Sequence, residues 1–289
     1  MEFPFPHKKN LSLSKFSSLG IGGPARYFTE AFSIEEMQER LFFSHQNSLP
    51  VLILGKGSNL LFGDEGYPGL VVLNKIDFLE EEAGNFSAGG GYSFARLGSS
   101  TARRGWSGLE FAAGIPASVG GAIYMNAGAG GYETADSLHE VGYVTEKGEF
   151  ICLKRGELVF GYRSSPFQEK KGAIVSGSFL LKTSQDAHRE QKTLLDYRLK
   201  TQPYGEKSAG CAFRNPEGVS AAKLIDECGL KGMQIGRAKV SEKHANFIVN
   251  IGGAKAQDVK ELMNKIQMTI FEKKEILLEP EIRSIDVPS

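Results

Sequence analysis

The segment from Gly108 to Gly131 restricts the fold more than any other part of the chain. Seven glycines and six alanines make up more than half of it. Glycine lacks Cβ and tolerates positive φ, so a run this dense suits main-chain amides that approach a large polar ligand such as a phosphate or a ring carbonyl. A flexible linker is the alternative, but linkers lack apolar side chains that favour burial. This segment has Phe111, Ile115, Val119, Ile123, Tyr124 and Met125.

A second glycine-rich segment, Gly55–Asn59, follows the short apolar run Val51–Leu54. It offers successive main-chain amides, a hydroxyl and an amide side chain, which are groups that bind a diphosphate. It lacks the final Gly-Lys-Ser/Thr of a Walker loop, and Gly20–Pro24 fails the dinucleotide fingerprint because Pro24 interrupts it. Taken alone, Gly55–Asn59 is typical of a tight turn. Together, the two glycine-rich segments predict a site for a phosphate-bearing ligand.

The composition limits the functional classes. The chain has 289 residues, which suits two globular domains, and 34 basic and 34 acidic residues give a net charge of +0. This balance gives no electrostatic reason to expect nucleic acid or an anionic membrane as a partner. Three scattered cysteines, Cys152, Cys211 and Cys228, predict neither a disulfide framework nor a metal site. With no targeting segment or membrane span in the sequence, we expect a cytoplasmic protein.

Local signals predict helices and strands in the first part of the chain. Ser33 and Glu36 form a capping-box pattern ahead of an apolar run with helical spacing. The runs 51–54 and 70–73 are strand-like, and residues 151–181 are typical of short strands joined by polar turns.

The last third of the chain is expected to form another domain. Asp186 is expected to cap a helix that ends before Pro203, and the main domain boundary lies near this helix. Ser220–Cys228 predicts a helix that stops at Gly229. A strand is predicted from the alternation of Phe247, Val249 and Ile251. The core face of a final helix is predicted to consist of Val259, Leu262, Met263, Ile266, Ile270 and Phe271.

Several motifs extend along nearly the whole chain. They are L-G-I-G-G-P-A at Leu19–Ala25, G-K-G-S-N-L-L at Gly55–Leu61, G-I-P-A-S-V-G-G-A-I-Y-M-N-A-G-A at Gly114–Ala129, F-G-Y-R-S-S at Phe160–Ser165, S-A-G-C-A-F-R-N-P at Ser208–Pro216, K-H-A-N-F-I-V-N at Lys243–Asn250 and L-E-P-E-I-R at Leu278–Arg283. In order and spacing, the chain resembles the UDP-N-acetylenolpyruvoylglucosamine reductases, flavoenzymes of bacterial peptidoglycan synthesis. The short link from Arg163 to Asp186 resembles the shorter, second branch of that family.

The resemblance implies an α+β fold, with a two-subdomain FAD-binding domain of the vanillyl-alcohol-oxidase/PCMH type and a smaller C-terminal substrate-binding domain. The FAD-binding domain is expected over residues 1–182, with subdomains 1–70 and 71–182. The substrate-binding domain is expected over 200–289, with its last residues packed back on the first subdomain. The resemblance also implies FAD contacts from both glycine-rich segments. They are Gly55, Lys56, Gly57, Ser58, Asn59, Leu60, Gly114, Ile115, Pro116, Ala117, Gly120, Gly121, Ala122 and Asn126.

Three residues are expected to carry the chemistry. Reduction of an enolpyruvyl ether needs a hydride at one alkene carbon, stabilisation of the carboxylate and a proton at the other carbon, and the flavin supplies the hydride. Arg163 matches the family arginine that binds the enolpyruvyl group, and its fork of donors suits a carboxylate. Glu281 matches the glutamate that stabilises or orients the protonated intermediate, with Glu279 as the alternative assignment.

Two positions depart from the family pattern. Ala117 stands where glycine is usual, which narrows the room for the flavin. Cys211 stands where a serine usually donates the proton. A free thiol has a pKa of about 8.5 and is a stronger acid than a hydroxyl, so Cys211 can take over that role. A buried structural cysteine is the alternative.

The predicted substrate contacts are Tyr162, Arg163, Arg214 and Asn215, while His244 is expected to pack or to touch substrate. The expected partners are NADPH and UDP-N-acetylglucosamine enolpyruvate, which is converted to UDP-N-acetylmuramate by a monomer or weak oligomer. An FAD-dependent alcohol oxidase is one alternative, but it would need a base rather than Arg163 and Cys211. A flavin-binding protein that has lost activity is the other.

Overall fold

The computed structural model describes residues 2–286, which form two compact units. The first unit contains the chain up to Lys9, Tyr27–Lys56 and Gly69–Arg198. The second unit contains Asn10–Arg26, Gly57–Pro68 and the chain from Leu199 onwards. These units are defined by packing, and the assignment of an FAD-binding and a substrate-binding domain to the residues given above stays a prediction.

The two units contain both helices and strands. The α-helices among the described residues are α1 (Ile34–Gln46), α2 (Phe94–Arg103), α3 (Val119–Tyr124), α4 (Thr134–Ser137), α5 (Ala187–Thr201), α6 (Ala221–Glu227) and α7 (Ala256–Lys274). Short 3-10 helices span Leu13–Phe16, Glu110–Gly114, Arg155–Glu157 and Pro166–Gln168. The strands are β1 (Lys8–Ser12), β2 (Pro24–Ala31), β3 (Val51–Leu54), β4 (Leu60–Phe62), β5 (Tyr67–Asn74), β6 (Leu79–Glu82), β7 (Asn85–Gly89), β8 (Trp106–Ser107), β9 (Gly128–Ala129), β10 (Tyr132–Glu133), β11 (Leu138–Thr145), β12 (Phe150–Lys154), β13 (Gly172–Leu180), β14 (Lys182–Thr183), β15 (Ser208–Cys211), β16 (Gln234–Ile235), β17 (Ala238–Val240), β18 (Phe247–Asn250) and β19 (Arg283–Ile285).

The largest sheet of the first unit is antiparallel, with strand order β12-β11-β13-β7-β6. Its core includes the fully buried side chains of Phe86, Phe94 and Phe179. Helix α3 packs closely on this sheet, because Gly120 N–H donates to the Gly90 carbonyl oxygen at 2.8 Å. A Cβ at Gly120 would lie 3.1 Å from that oxygen, so glycine permits this approach.

A second sheet has strand order β1-β2-β5-β3. Strands β3 and β5 are parallel, and Val51 lies opposite Leu70. Helix α1 begins as its sequence predicts: Glu36 N–H donates to Ser33 Oγ at 3.2 Å, and Phe32 N–H donates to Glu36 Oε2 at 2.8 Å. Its residues Met37 and Leu41 are buried in a core cluster that includes Val72 of β5 and Val144 of β11, so the predicted amphipathic helix is confirmed.

The second unit contains the antiparallel sheet β15-β18-β17-β16 and a parallel pair of β4 with β19. Helices α6 and α7 supply much of its core through Leu224, Ile225, Val259, Leu262 and Ile266. Helix α6 confirms the prediction for Ser220–Cys228, since Ser220 Oγ accepts from Lys223 N–H. Gly229 follows it with a φ of +72°, a left-handed conformation that favours glycine at a helix end.

Two predictions about core residues are wrong. Strand β18 ends at Asn250, and all four of its residues are buried because it pairs with strands on both sides. Ile251 lies beyond the strand and is 43% exposed, so the predicted alternation does not describe it. Phe271 is 56% exposed, whereas its neighbour Ile270 is fully buried. Consecutive helical residues point about 100° apart, and α7 presents only a narrow face to the core.

Among the helices of residues 2–286, none combines the length and the apolar composition that a membrane span requires.

Candidate active site

The glycine-rich segment Gly108–Gly131 lies in the first unit and includes the 3-10 helix Glu110–Gly114, helix α3 and strand β9. Ser118 caps α3, because its Oγ accepts from Gly121 N–H at 3.2 Å. The turn before this cap is held by Phe94 N–H, which donates to the Ala117 carbonyl oxygen at 3.0 Å. Ile115, Ala117 and Gly121 are half-buried and Pro116 is exposed, whereas Gly114, Gly120 and Ala122 are buried.

The beginning of the second glycine-rich segment lies against the first one within the same unit. A Cβ at Gly55 would overlap Ser118 Oγ, so glycine is required where the two segments meet. Lys56 Nζ donates to Ser93 Oγ at 2.6 Å, and Ser93 in turn caps α2. Ser93 and Ser118 also form an isolated β-bridge. The structure thus brings together Gly55, Lys56 and the loop before α3, as the sequence predicts for one ligand site.

Lys56 is exposed as a residue, but its ammonium lies partly within this loop. Partial burial lowers its pKa, and the negative charge of Asp77 opposes that shift. A bound anion would stabilise the charged form further. The hydroxyl of half-buried Ser93 and the Lys56 ammonium, beside the close main-chain approach at Gly55, form a donor set that fits the diphosphate of a dinucleotide such as FAD.

Asn126, one of the predicted cofactor contacts, uses its side chain for hydrogen bonds within the protein. It is fully buried, and its φ is +42°. Its Nδ2 donates to Glu133 Oε2 at 2.7 Å and to the Gly161 carbonyl oxygen at 3.0 Å, while Oδ1 accepts from Ala135 N–H at 3.0 Å. The carboxamide therefore holds the end of α3 against the segment that carries Arg163.

Arg163 occupies a tight turn in the first unit. Gly161 and Ser164 exchange main-chain hydrogen bonds of 3.1 and 3.0 Å, which leaves Tyr162 and Arg163 at the tip. The φ of Arg163 is +53°, a conformation that is uncommon outside glycine. The Arg163 Cζ lies 4.9 Å from the centre of the Tyr162 ring, and Nη2 donates to the Gly128 carbonyl oxygen at 3.2 Å. The guanidinium is thus oriented by an aromatic face and by the glycine-rich segment.

The rest of the second glycine-rich segment belongs to the second unit. Gly57 has a φ of +59°, and its carbonyl oxygen accepts from Ser18 N–H at 3.1 Å. Asn59 Nδ2 donates to the Glu281 carbonyl oxygen at 3.1 Å. Half-buried Ser58 and Leu60 flank Asn59, and strand β4 begins at Leu60. This arrangement places Asn59 beside the main chain of Glu281.

Cys211 and Glu281 lie on neighbouring segments of the second unit. Glu281 N–H donates to the Ala212 carbonyl oxygen at 2.8 Å, next to half-buried Cys211. The same pairing continues with Arg214 N–H, which donates to the Glu279 carbonyl oxygen at 2.8 Å. The structure therefore brings the main chain of Glu281 beside Ala212, the residue after Cys211, although the two segments are distant in sequence.

Arg214, Asn215 and His244 have identifiable contacts in the same unit. Arg214 Nη1 lies 3.7 Å from the exposed carboxylate of Glu279. Asn215 Oδ1 accepts from Ala221 N–H at 3.0 Å, at the start of α6. The His244 ring packs edge-on against Phe247 with ring centres 4.8 Å apart, as expected for a packing role.

Sequence reasoning missed several residues that shape these sites. In the second unit, Asn246 is 2% exposed and bonds to both main-chain groups of Phe213, close to Cys211. In the first unit, Ser93, Ser118 and Gln168 were missed. A polar residue at the edge of an apolar strand was the available signal for Asn246, whereas the others depend on contacts between separate parts of the chain.

Two protein-family models match separate parts of the chain. A family model described as UDP-N-acetylenolpyruvoylglucosamine reductase, C-terminal domain, matches residues 202–285. A model described as FAD binding domain matches residues 25–154. The UDP-N-acetylenolpyruvoylglucosamine reductase of Protochlamydia amoebophila (strain UWE25) is 54% identical over 286 residues, which cover 99% of this chain and 96% of that protein. The chain belongs to the UDP-N-acetylenolpyruvoylglucosamine reductase family.

Further members of the reductase family agree with this assignment. The reductase of Chlamydia muridarum is 47% identical, with 98% of this chain and 96% of that protein covered. The crystal structure of the reductase from Thermus caldophilus aligns with a TM-score of 0.82 at 39% identity and covers 96% of this chain and 98% of that one. The predicted α+β fold, with an FAD-binding domain followed by the reductase C-terminal domain, is confirmed.

Proposed function

We propose that this chain is an FAD-dependent oxidoreductase that reduces UDP-N-acetylglucosamine enolpyruvate to UDP-N-acetylmuramate with NADPH as the reductant. The observation that carries the proposal is the pairing of the Cys211 and Glu281 segments through the 2.8 Å bond from Glu281 N–H to the Ala212 carbonyl oxygen. An acid and a carboxylate on adjacent segments suit an alkene reduction that needs a proton. The named reductases at 46–54% identity support the same reaction.

The residues of the first unit that would hold FAD are Gly55, Lys56 and the loop Gly114–Asn126. Lys56 and Ser93 would supply donors to the diphosphate, and the turn Ile115–Ala117 would offer main-chain groups to the ring system. Gly57, Ser58, Asn59 and Leu60 are proposed as further FAD contacts, on the resemblance of their motif to the family. When bound, FAD supplies the hydride that reduces the alkene.

Arg163 is proposed to bind the carboxylate of the enolpyruvyl group. A guanidinium offers two parallel N–H donors to a carboxylate, and its charge stabilises the negative charge that develops there during reduction. Tyr162, whose ring lies under the Arg163 guanidinium, is proposed to touch the same substrate. Because the Arg163 main chain is fixed in a tight turn, little ordering is needed when substrate binds.

Cys211 is proposed to donate the proton to the alkene carbon that does not receive the hydride. Its S–H bond breaks as the new C–H bond forms, and the thiolate is then reprotonated from solvent. Glu281 is proposed to stabilise or orient the protonated intermediate, since its main chain is bonded next to Cys211. Transfer of one hydride and one proton converts the enolpyruvyl ether to the lactyl ether.

Arg214 and Asn215 are proposed to bind the UDP part of the substrate. Arg214 already lies near a carboxylate, Glu279, and a diphosphate offers it a stronger anionic partner. The product is a precursor of peptidoglycan, so we propose a role in cell-wall synthesis, and with it in cell shape and division, in the cytoplasm. We also propose that the protein acts as a monomer or weak oligomer on small-molecule substrates, without nucleic acid or membrane.

An anaerobic absorbance titration tests this function. The purified holoprotein is first reduced with NADPH, and UDP-N-acetylglucosamine enolpyruvate is then added while the oxidised-flavin band is followed. We expect the band to bleach and then to return. UDP-N-acetylglucosamine, which lacks the enolpyruvyl group, is the matched control and should leave the band bleached. Bleaching without recovery on the true substrate would refute the proposed substrate, and absence of flavin would refute the assignment of the glycine-rich segments.

A further inference from the structure

Gln168 joins the Arg163 turn to the end of the glycine-rich segment through one amide group. Its Nε2 donates to the Arg163 carbonyl oxygen at 3.0 Å and to the Tyr124 carbonyl oxygen at 3.0 Å. Nε2 also lies 3.8 Å from Met125 Sδ. Both N–H bonds of the side chain are therefore used, one on each side of the gap between α3 and the turn.

The position of Gln168 is itself well defined. It ends the 3-10 helix Pro166–Gln168, in which Phe167 is 2% exposed and packs on Tyr143 with ring centres 5.3 Å apart. Ser165, just before this helix, donates its hydroxyl to the same Tyr124 carbonyl oxygen at 2.7 Å. The amide of Gln168 is thus presented from a rigid part of the core.

The Arg163 main chain needs such support. A non-glycine residue at a φ of +53° is held in a sparsely populated conformation, which persists only where surrounding contacts fix it. The turn receives two external hydrogen bonds to its carbonyl oxygens: Gln168 bonds at Arg163, and buried Asn126 bonds at Gly161. Both donors also hold the end of α3, so the turn and the glycine-rich segment are locked to each other.

We propose that Gln168 is a positioning residue, which sets where the Arg163 guanidinium stands relative to the glycine-rich segment and thereby aligns the enolpyruvyl carboxylate for reduction. This inference rests on the proposed function of Arg163. Gln168 does not touch substrate in this mechanism, and its effect passes through the Arg163 carbonyl. A misplacement of about 1 Å at a remote contact can slow a reaction by about a hundredfold.

The test compares variants that remove or restore the two donors. Gln168→Met keeps the length of the side chain but removes both N–H groups. Gln168→Lys restores donors that reach the same two oxygens. Gln38→Met is the matched control, because Gln38 Nε2 also donates to a main-chain carbonyl oxygen of the first unit, that of Gly148, at 2.8 Å. Gln38 belongs to α1 and to neither glycine-rich segment.

Two ligands separate positioning from general stability. UDP-N-acetylmuramate carries the carboxylate that Arg163 is proposed to bind, and UDP-N-acetylglucosamine does not. We expect Gln168→Met to weaken calorimetric binding of UDP-N-acetylmuramate by about tenfold or more, since a charge-assisted contact is displaced. Binding of UDP-N-acetylglucosamine, flavin content and flavin reduction by NADPH should stay within about twofold of the wild type. Gln168→Lys and Gln38→Met should resemble the wild type.

The proposal is overturned if Gln168→Met binds UDP-N-acetylmuramate and turns over substrate as the wild type does. It is also overturned if this substitution lowers the affinity for both ligands equally. If Gln168→Met fails to fold, Gln168→Lys decides: selective loss of UDP-N-acetylmuramate binding in that variant contradicts the donor role, and wild-type behaviour supports it. Failure of the proposed function is a separate result, because the wild-type protein itself would then show no preference for UDP-N-acetylmuramate and no flavin oxidation by the enolpyruvyl substrate.

Discussion

Asn246 and Phe213 are joined by two hydrogen bonds between one side chain and one residue's main chain. Phe213 N–H donates to Asn246 Oδ1 at 3.0 Å, and Asn246 Nδ2 donates to the Phe213 carbonyl oxygen at 2.8 Å. The Asn246 carbonyl oxygen also accepts from Ala212 N–H at 2.7 Å. One buried asparagine therefore fixes the main chain directly after Cys211, at the point where Glu281 pairs with it.

Replacing Asn246 by alanine should destabilise the second unit. Phe213 is fully buried, so its N–H and carbonyl groups would lose their partners without gaining water. We expect the unfolding free energy in urea to fall by about 2–4 kcal/mol. Asn47→Ala is the control, because Asn47 Nδ2 donates to the Phe43 carbonyl oxygen at the exposed end of α1. Equal losses from the two variants would contradict the structural role of Asn246.

Short sequence patterns predict those helices that are started by contacts between neighbouring residues. The Ser33 and Ser220 caps are made with residues three positions away, so α1 and α6 can be recognised from a few neighbouring letters. The predictions for Ile251 and Phe271 are wrong because their exposure depends on where a strand ends and on how much of a helix face is covered. Periodicity alone does not contain that information.

The candidate site also contains some features that the sequence predicts and others that it does not. The two glycine-rich segments are visible in the composition, but the roles of Arg163, Cys211 and Glu281 came from the family resemblance. Gln168 and Asn246 were missed because each donates to a carbonyl oxygen that is distant in sequence. Gln168 donates to Tyr124, and Asn246 donates to Phe213. Glutamine and asparagine have many uses, so their types alone identify no partner.

Gly55→Ala should impair flavin binding. The added Cβ would overlap Ser118 Oγ, so the loop or the cap of α3 must move. Strain of this kind costs about 1–3 kcal/mol, and we expect the affinity of the apoprotein for FAD to fall by about tenfold or more in a flavin fluorescence titration. Gly156→Ala is the matched control, because no atom lies within 4 Å of the Cβ that it would add. Unchanged FAD affinity in Gly55→Ala would show that the contact between the two segments does not shape the flavin site.

Asp258 should make the stability of the second unit depend on acidity. Hydrogen bonds from the main-chain N–H groups of Lys255 and then Arg237 lower the pKa of its carboxyl group below 3.8. The unfolded chain therefore binds the proton more readily, so this stabilisation is complete above that value and is lost as the pH falls through the lower folded-state pKa. Because Asp258 is largely solvated, the contribution is below about 1 kcal/mol.

Asp258→Asn tests this linkage, since its amide does not titrate. Urea unfolding at about pH 7 and at about pH 3 should show a smaller difference in unfolding free energy between wild type and variant at the acidic pH. Glu275→Gln, at the other end of α7, is the control for the loss of one carboxyl charge from this helix. A difference for Asp258→Asn that stays constant with pH would contradict the assigned hydrogen bonds.

Cys211 offers the sharpest test of the proposed proton transfer. Alanine removes the proton donor, whereas serine keeps a donor of similar size. Cys211→Ala should leave flavin reduction by NADPH intact and slow oxidation of the reduced flavin by substrate by about 10²–10⁴-fold, the usual contribution of a general acid. Cys211→Ser keeps a donor and should recover most of that loss. Cys152→Ala is the control, since Cys152 is an exposed thiol of β12 in the first unit. Stopped-flow absorbance of the two half-reactions measures each step separately. If Cys211→Ala oxidises as fast as the wild type, the proton comes from another group; if Cys211→Ala and Cys211→Ser are equally slow, the thiol is needed for more than a proton.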